Sequence, residues 1–105
     1  MPNLFADIPD HLPDELTNDL LTRPGVRIER IVSRGHASPE GFWYDQDEGE
    51  WVALLSGAAR LEFGDRDPID MHPGDHVFLP AGCRHRVAWT DPEADTVWLA
   101  VFVPT

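Results

Sequence analysis

Short segments in which hydrophobic and polar residues alternate, separated by glycine and proline, make up most of the chain after residue 25. The alternation is clearest over 59–63, where three apolar side chains face one way and Arg60 and Glu62 face the other. Because the segments are short and no long helical period separates them, they predict an all-β barrel or sandwich of about eight strands. Further strands are predicted over 26–33, 41–44, 50–56, 69–71, 76–79, 84–90 and 96–103.

The first 25 residues follow a different pattern, in which leucines are spaced by three or four positions and prolines are frequent. Asp14 is a candidate N-cap for a short helix over 15–21, whose three leucines would share one face. A proline-glycine pair ends this segment. We therefore predict that residues 1–25 form an N-terminal arm that packs on a barrel domain formed by residues 26–105.

The last predicted strand, 96–103, is apolar on both faces, because aliphatic residues alternate with Trp98, Ala100 and Phe102. A barrel strand needs only one apolar face for the core. We expect the other face to be covered by the arm or by a second copy of the chain, and we predict a homodimer.

Composition limits the partners and the compartment. The chain has 105 residues and a net charge of −11, so one folded domain is expected, and it would repel nucleic acid and anionic membranes. Cys83 is the only cysteine, which excludes an internal disulfide and favours a reducing compartment. The sequence shows neither a signal peptide nor an apolar run long enough to span a bilayer, and we expect a cytoplasmic protein.

The stretch from 73 to 85 concentrates the turn signals of the chain. Pro73 and Gly74 predict a turn, 76–79 is a short apolar strand, and another proline and glycine close that strand before His85 enters the next one. In a small barrel this order places the His85 imidazole at the mouth.

This stretch resembles the second motif of the cupin superfamily, in which a glycine is followed by five residues, Pro-x-Gly, two residues and a histidine. Gly74, Pro80, Gly82 and His85 stand at those positions, and Trp89 stands where the motif has asparagine. The resemblance covers approximately residues 26–103. It implies a jelly-roll β-barrel, often homodimeric, with a divalent metal near the mouth in many members.

The first cupin motif is similar at its ends. Gly41 opens it, and Glu50 is followed by six residues and then Gly57. Its two histidine positions hold Tyr44 and Gln46 if Glu50 is the motif glutamate. The resemblance therefore implies the fold more strongly than it implies a particular metal chemistry.

Gln46, Glu50 and His85 are the candidate metal ligands. A carboxylate, an imidazole and an amide oxygen form a mixed donor set that suits Zn, Fe, Mn or Ni. Two of these donors are strong, and Tyr44 or His36 would have to join them for a tight site. The alternative is that Glu50 and His85 form a hydrogen-bonded pair in a metal-free pocket.

Strand parity predicts the shape of that pocket. If Glu50 points inward, Val52 and Leu54 do so as well, and an inward His85 brings Val87 and Trp89 with it. Polar groups at the mouth and apolar residues below them are typical of a small-molecule site.

Tyr44 and Trp89 are the candidate substrate-binding residues. We expect Tyr44 to hydrogen-bond a ligand and Trp89 to form a wall or floor of the pocket. The Cys83 thiol lies close in sequence to His85, which could activate it, although a buried unreactive thiol is the simpler interpretation. The acidic residues at 45–48 lack the spacing of a calcium loop and are interpreted as a solvated loop.

Three functions remain open at this point. The first is a metal-dependent protein acting on a small polar molecule, with the metal as a Lewis acid or an activator of oxygen or water. The second is a metal-free binding or sensor module that uses the same pocket, and the third is a non-catalytic dimeric domain. The fold does not decide between an enzyme and a binding protein.

Overall fold

Eight antiparallel β-strands form two sheets that enclose a common core in this computed structural model, which describes residues 1–104. The five-stranded sheet has the order β1-β2-β8-β3-β6, and the three-stranded sheet has the order β5-β4-β7. No helix within residues 1–104 has the length and apolar character needed to cross a membrane. The strands are β1 Leu16–Arg23, β2 Val26–Ser33, β3 Gly49–Ser56, β4 Ala59–Phe63, β5 Ile69–Met71, β6 His76–Leu79, β7 His85–Thr90 and β8 Thr96–Val103.

The core lies between the two sheets and is built from the inward face of each strand. Leu54 and Trp98 of the larger sheet are buried together with Leu61 and Phe63 of the smaller one, in one hydrophobic cluster. The alternation over Ala59–Phe63 is observed as predicted, with the three apolar residues buried. The prediction of an all-β barrel is confirmed.

Two glycines produce the turns on either side of β6. Gly74 and Gly82 have φ angles of 94° and 77°, in the left-handed region that residues with a side chain rarely adopt. Their turns bring β6 against β3 and start β7 at His85. The turn spacing of the second motif therefore fixes where the His85 side chain enters the barrel.

The helix predicted over 15–21 is wrong, because this segment is the edge strand β1, paired antiparallel with β2. The physical reason is an irregularity in the β1–β2 pairing between Asp19 and Leu21, which interrupts the two-residue alternation. Leu16 and Leu20 are four residues apart, a spacing that fits one face of a helix and also one face of a strand. The boundary of an arm at residue 25 stays a prediction, since β1 is a strand of the larger sheet.

The segment before β1 is held against the barrel by two arginines. The Arg30 guanidinium donates hydrogen bonds to the carbonyl oxygens of Leu4 and Ala6, at 3.2 and 2.5 Å. Arg34 donates to the carbonyl oxygens of Pro9 and Asp10. The N-terminal segment is thus fixed through its backbone, which its sequence does not reveal.

The strand predicted over 41–44 is almost entirely a loop. Only Tyr44 makes a β-bridge, to His85, with backbone hydrogen bonds of 2.7 and 3.1 Å in the two directions. This bridge places the side chains of the two residues next to each other at the barrel mouth.

Candidate functional site

A cavity of about 370 Å³ opens at one end of the barrel between the two sheets. Its apolar lining comes from both sheets and includes Val52, Leu61, Leu79, Trp98 and Phe102. Its polar side chains come from β1 and the residue before it, β2, the loop before β3, β3 and β7: Glu15, Thr17, Arg27, Glu29, Tyr44, Gln46, Glu48, Glu50 and His85. An apolar interior with polar groups near the opening is the usual construction of a small-molecule site.

Glu50 and His85 enter this cavity from opposite sheets. Glu50 is near the start of β3, and His85 is the first residue of β7. Their exposed fractions are only 8% and 6%. Oε1 of Glu50 lies 3.9 Å from Nε2 of His85, which is too long for a hydrogen bond. The two groups are therefore close neighbours that do not satisfy each other.

The backbone fixes the protonation of the His85 ring. Nδ1 lies 2.9 Å from the carbonyl oxygen of Cys83, and a carbonyl only accepts hydrogen bonds. Nδ1 therefore carries the proton, and the lone pair of Nε2 points into the cavity when the ring is neutral. Burial lowers the pKa of His85, against a smaller opposing effect of the Cys83 hydrogen bond, so the neutral form is favoured.

The Glu50 carboxyl has the opposite shift. Burial raises its pKa to about 7, with further contributions from the negative charges of Glu29 and Glu48, while Arg27 opposes the change. Within residues 1–104 no hydrogen bond satisfies this carboxyl, and the His85 ring nitrogen lies 3.9 Å from it. Glu50 is thus a buried carboxyl that gains and loses a proton close to neutral pH.

Tyr44 lies against the face of His85. The two rings are stacked with their centroids 5.2 Å apart and an angle of 21° between their planes. Burial raises the pKa of Tyr44, and the charges of Glu15 and Glu50 raise it further, so the phenol stays protonated as a hydrogen-bond donor. Phe42 supports Tyr44 from the other side by an edge-to-face contact of 4.9 Å between centroids.

Gln46 also lines the cavity, as its place in the sequence predicts. The backbone carbonyl oxygen of Gln46 accepts a hydrogen bond of 2.8 Å from the backbone N–H of Gly82. This bond joins the loop before β3 to the turn that introduces β7. The structure thus brings Tyr44, Gln46, Glu50 and His85 together in one cavity.

The structure adds a group of charged residues that the sequence analysis missed. Arg27 donates a hydrogen bond of 2.9 Å to Glu29 and lies 3.3 Å from a carboxylate oxygen of Glu48. Its guanidinium also lies over the ring of Phe102, 4.1 Å from the centroid. The alternation of β2 predicts the wrong inward face. Val26, Ile28 and Val32 suggest that their face is buried, whereas the face with Arg27 and Glu29 lines the cavity.

Trp89 is not brought to the site, and the prediction that it points inward is wrong. Its exposed fraction is 46%, and it pairs with the exposed Arg60. A β-bulge is the reason: Leu61 pairs with Val87 while Arg60 pairs with Trp89, so β7 contains one extra residue and its parity reverses. Thr90, beyond the bulge, is buried instead.

His36 and Cys83 also lie outside the main cavity lining. The Nδ1 atom of His36 accepts a hydrogen bond from the N–H of Arg34, and Nε2 lies 3.1 Å from the carbonyl oxygen of Pro13. His36 thereby ties its loop to the N-terminal segment. Cys83 contributes its carbonyl oxygen to His85, while its half-buried thiol contacts the guanidinium of Arg66 at 3.5 Å.

The donor set does not match that of a tightly held divalent ion. Glu50 and His85 are the only strong donors of the predicted set, and an amide oxygen of Gln46 is a weak third ligand. Within residues 1–104, no group of three histidine, cysteine, aspartate or glutamate side chains has the arrangement of a metal site. The residues of this cavity therefore fall short of the ligand number that metal sites in proteins generally provide.

Antiparallel strands that form a jelly-roll barrel around an internal cavity, with polar side chains at its opening, are typical of barrel proteins with a small-molecule site. Residues 31–102 match the cupin domain family, which is more than half of the chain. The chain belongs to the cupin superfamily. No match is found among proteins with curated descriptions.

Solved structures of cupins agree with this assignment. A protein from Ralstonia eutropha JMP134 with the provisional name mannose-6-phosphate isomerase is 55% identical, with a TM-score of 0.95, over 100% of this chain and 98% of its own. A cupin superfamily protein from Desulfitobacterium hafniense DCB-2 has 19% identity and a TM-score of 0.76, over 93% of this chain and 84% of its own. The second similarity supports the fold alone.

Proposed function

We propose that this protein binds a small polar molecule in the barrel cavity, where Glu50 exchanges a proton with it and His85 orients it through a hydrogen bond. The observation that carries the proposal is the 3.9 Å approach of two buried, mutually unsatisfied groups, one carboxyl and one imidazole, at the opening of a cavity. Both groups line the cavity, so a ligand there can supply the hydrogen bonds that they do not give each other.

The residues around the pair have complementary roles in this proposal. The Glu50 carboxylate takes a proton from a C–H or O–H group of the ligand and returns it to a neighbouring atom, which leaves the enzyme unchanged after one cycle. Neutral His85 accepts a hydrogen bond at Nε2 and orients the ligand. The Tyr44 phenol donates a hydrogen bond to a ligand oxygen on which negative charge develops.

The raised pKa of Glu50 suits this role. A general base works best when its pKa is close to the working pH, because it must both accept and release the proton. Glu50 has a pKa of about 7, whereas an ordinary glutamate would be fully ionised there and a poor acid. The 55% identical relative is provisionally named an isomerase, and the isomerisation of a sugar by proton transfer is a reaction of this class.

A metal-dependent reaction is the second candidate, and one observation favours it: Gln46, Glu50 and His85 line the same cavity. A divalent ion held by these three residues would polarise a ligand oxygen. Elemental analysis of protein purified without chelators decides between the candidates. The proton-transfer proposal predicts much less than one metal ion per chain and unchanged ligand binding after treatment with EDTA.

Deuterium incorporation tests the proposed step. The protein is incubated in D₂O with unphosphorylated aldoses, ketoses, hydroxy acids and amino alcohols, and exchange at carbon is followed by ¹H NMR. We expect exchange with wild type, a loss of about a hundredfold or more in Glu50→Gln, and no change in Glu93→Gln. Glu93 is an exposed carboxylate that does not line the cavity.

Binding must also depend on the pair. Amide chemical shifts of cavity-lining residues should move with the exchanging compound, and Glu50→Gln and His85→Gln should each weaken that binding. Equal exchange in wild type and Glu50→Gln would contradict the proposal, as would binding that displaces only amides outside the cavity.

We also propose that the chain forms a homodimer through the outer face of the larger sheet. Cross-strand pairing aligns one apolar residue from every strand of that sheet in a single row across its outer face. The two ends of the row have exposed fractions of 39% and 49%. A continuous apolar row of this kind is typical of a surface that packs against another protein. Its members are Leu21, Ile28, Val101, Trp51 and Phe78.

A further inference from the structure

The charges around the cavity are strongly one-sided. Among residues 1–104, Arg27 is the only arginine or lysine that lines it, against the carboxylates of Glu15, Glu29 and Glu48 in addition to Glu50. Arg27 is already committed, because it is paired with Glu29 at 2.9 Å and with Glu48 at 3.3 Å. With Glu50 protonated, these side chains still leave a net negative charge at the opening.

Where His85 and Glu50 meet, the free hydrogen-bonding capacity consists of acceptors, whereas Tyr44 at the side of the cavity offers a donor. His85 is 94% buried, and its Nε2 presents a lone pair to the cavity with no donor opposite it, because Nδ1–H is used by the Cys83 carbonyl. The Glu50 carboxyl adds further acceptor atoms 3.9 Å away. An imidazole lone pair next to carboxylate oxygens accepts hydrogen bonds from a ligand that carries several N–H or O–H donors.

We infer that the natural ligand carries a protonated amine, held by its N–H donors against His85 and the carboxylates at the opening, with an apolar part that fills the deeper cavity. This inference rests on the proposed function and names its ligand class. An ammonium group offers three donors and a positive charge, and no acceptor. The apolar walls formed by Val52, Leu61 and Trp98 match an uncharged remainder.

The same arrangement disfavours a phosphate ester. A phosphate carries close to two negative charges and needs free cationic or N–H donors. The one guanidinium at the cavity is shared by two carboxylates, and the chain as a whole has a net charge of −11. The phosphorylated sugar in the provisional name of the 55% identical relative is therefore poorly matched to this cavity.

Three probes of the same shape test the inference: benzylamine, benzyl alcohol and benzoate, titrated at pH 7.5 into the full chain and followed by amide chemical shifts of the cavity residues. We expect benzylamine to bind about tenfold or more tightly than benzyl alcohol, and benzoate to bind more weakly than either. In Glu29→Gln/Glu48→Gln, which frees Arg27, the preference for benzylamine should fall to about threefold or less. Glu40→Gln/Glu93→Gln removes two exposed charges outside the cavity and should leave the preference unchanged.

Equal affinity for benzylamine and benzyl alcohol, or tighter binding of benzoate, would overturn the inference and leave the proposed proton transfer standing. So would a failure of all three probes to bind when another compound undergoes Glu50-dependent deuterium exchange. Preference for benzylamine that appears only with added Zn²⁺ and is lost in EDTA would also overturn it, because the amine would then be bound by a metal. Failure of deuterium exchange with retained benzylamine preference would instead reject the proton transfer alone.

Discussion

The Nε2 atom of His85 and the Oε1 atom of Glu50 lie 3.9 Å apart across the opening of the barrel, each on a different sheet and neither hydrogen-bonded to the other. The two sheets hold the groups independently: His85 through its bond to the Cys83 carbonyl, Glu50 through its position near the start of β3. Because neither group depends on the other for its orientation, the site is preorganised for a ligand that comes between or beside them.

The first prediction concerns stability and pH. The folded-state pKa of Glu50 is about 7 and its ordinary value is 4.5, so the folded protein binds more protons than the unfolded chain between these values. The loss of stability caused by ionised Glu50 therefore grows as pH rises from about 4.5 to 7, and it stays constant above that range. Glu50→Gln should raise the free energy of unfolding at pH 8 by about 3 kcal/mol and have little effect at pH 4.

Urea denaturation of wild type and Glu50→Gln at several pH values measures this difference. Burial lowers the pKa of His85, which acts in the opposite sense: stability is lost as pH falls below its ordinary value of 6.5. Comparing the two proteins at each pH cancels that contribution to a first approximation. A stability difference that does not grow with pH would show that Glu50 has an ordinary pKa.

The second prediction concerns the tautomer of His85. Neutral histidine in water favours a proton on Nε2, whereas the Cys83 carbonyl requires it on Nδ1 in this protein. In ¹⁵N-labelled protein at pH 7, Nδ1 of His85 should therefore give the shift of a protonated ring nitrogen and Nε2 that of an unprotonated one. His36 is a useful comparison, because its Nδ1 accepts a hydrogen bond from Arg34 and its proton lies on Nε2.

A doubly protonated His85 ring at pH 7, or a proton on Nε2 alone, would remove the acceptor on which both the proposed proton transfer and the amine preference depend. The reversed assignment of the two histidines would have the same consequence.

The third prediction concerns the dimer. Phe78 lies at the end of the apolar row and is 49% exposed, so Phe78→Glu would place a charge in the proposed interface. We expect wild type to have the mass of a dimer in size-exclusion chromatography with light scattering, and Phe78→Glu to shift to a monomer. Trp89→Glu is the matched control, since Trp89 is 46% exposed and lies on the other sheet. A monomeric wild type, or dissociation caused equally by both variants, would contradict the proposed interface.

The positions of most strands follow from the sequence because turn chemistry and alternation agree there. Gly74 and Gly82 adopt positive φ angles at the predicted turns, and His85 enters the barrel where those turns place it. The backbone angles of these turns strongly favour glycine, so a glycine at each position allows the turn to be predicted from the sequence. Tyr44, Gln46, Glu50 and His85 were predicted from their positions in the two cupin motifs, and all four line the cavity.

Irregular pairing underlies two of the errors. A register shift between Asp19 and Leu21 interrupts the alternation of β1, and a bulge in β7 turns Trp89 outward. Alternation assumes a regular strand, and one inserted residue reverses every side chain beyond it. The charged inner face of β2 was missed for a related reason, since Arg27 and Glu29 are stabilised by pairing with each other, which alternation does not record.

The central claim is that Glu50 is a buried carboxyl that exchanges its proton near neutral pH beside a neutral His85. Its most direct test is a ¹³C NMR titration of the Glu50 side-chain carboxyl in the full chain, assigned by comparison with Glu50→Gln. The claim predicts a midpoint of about 7. A midpoint near the ordinary glutamate value of 4.5 would contradict it.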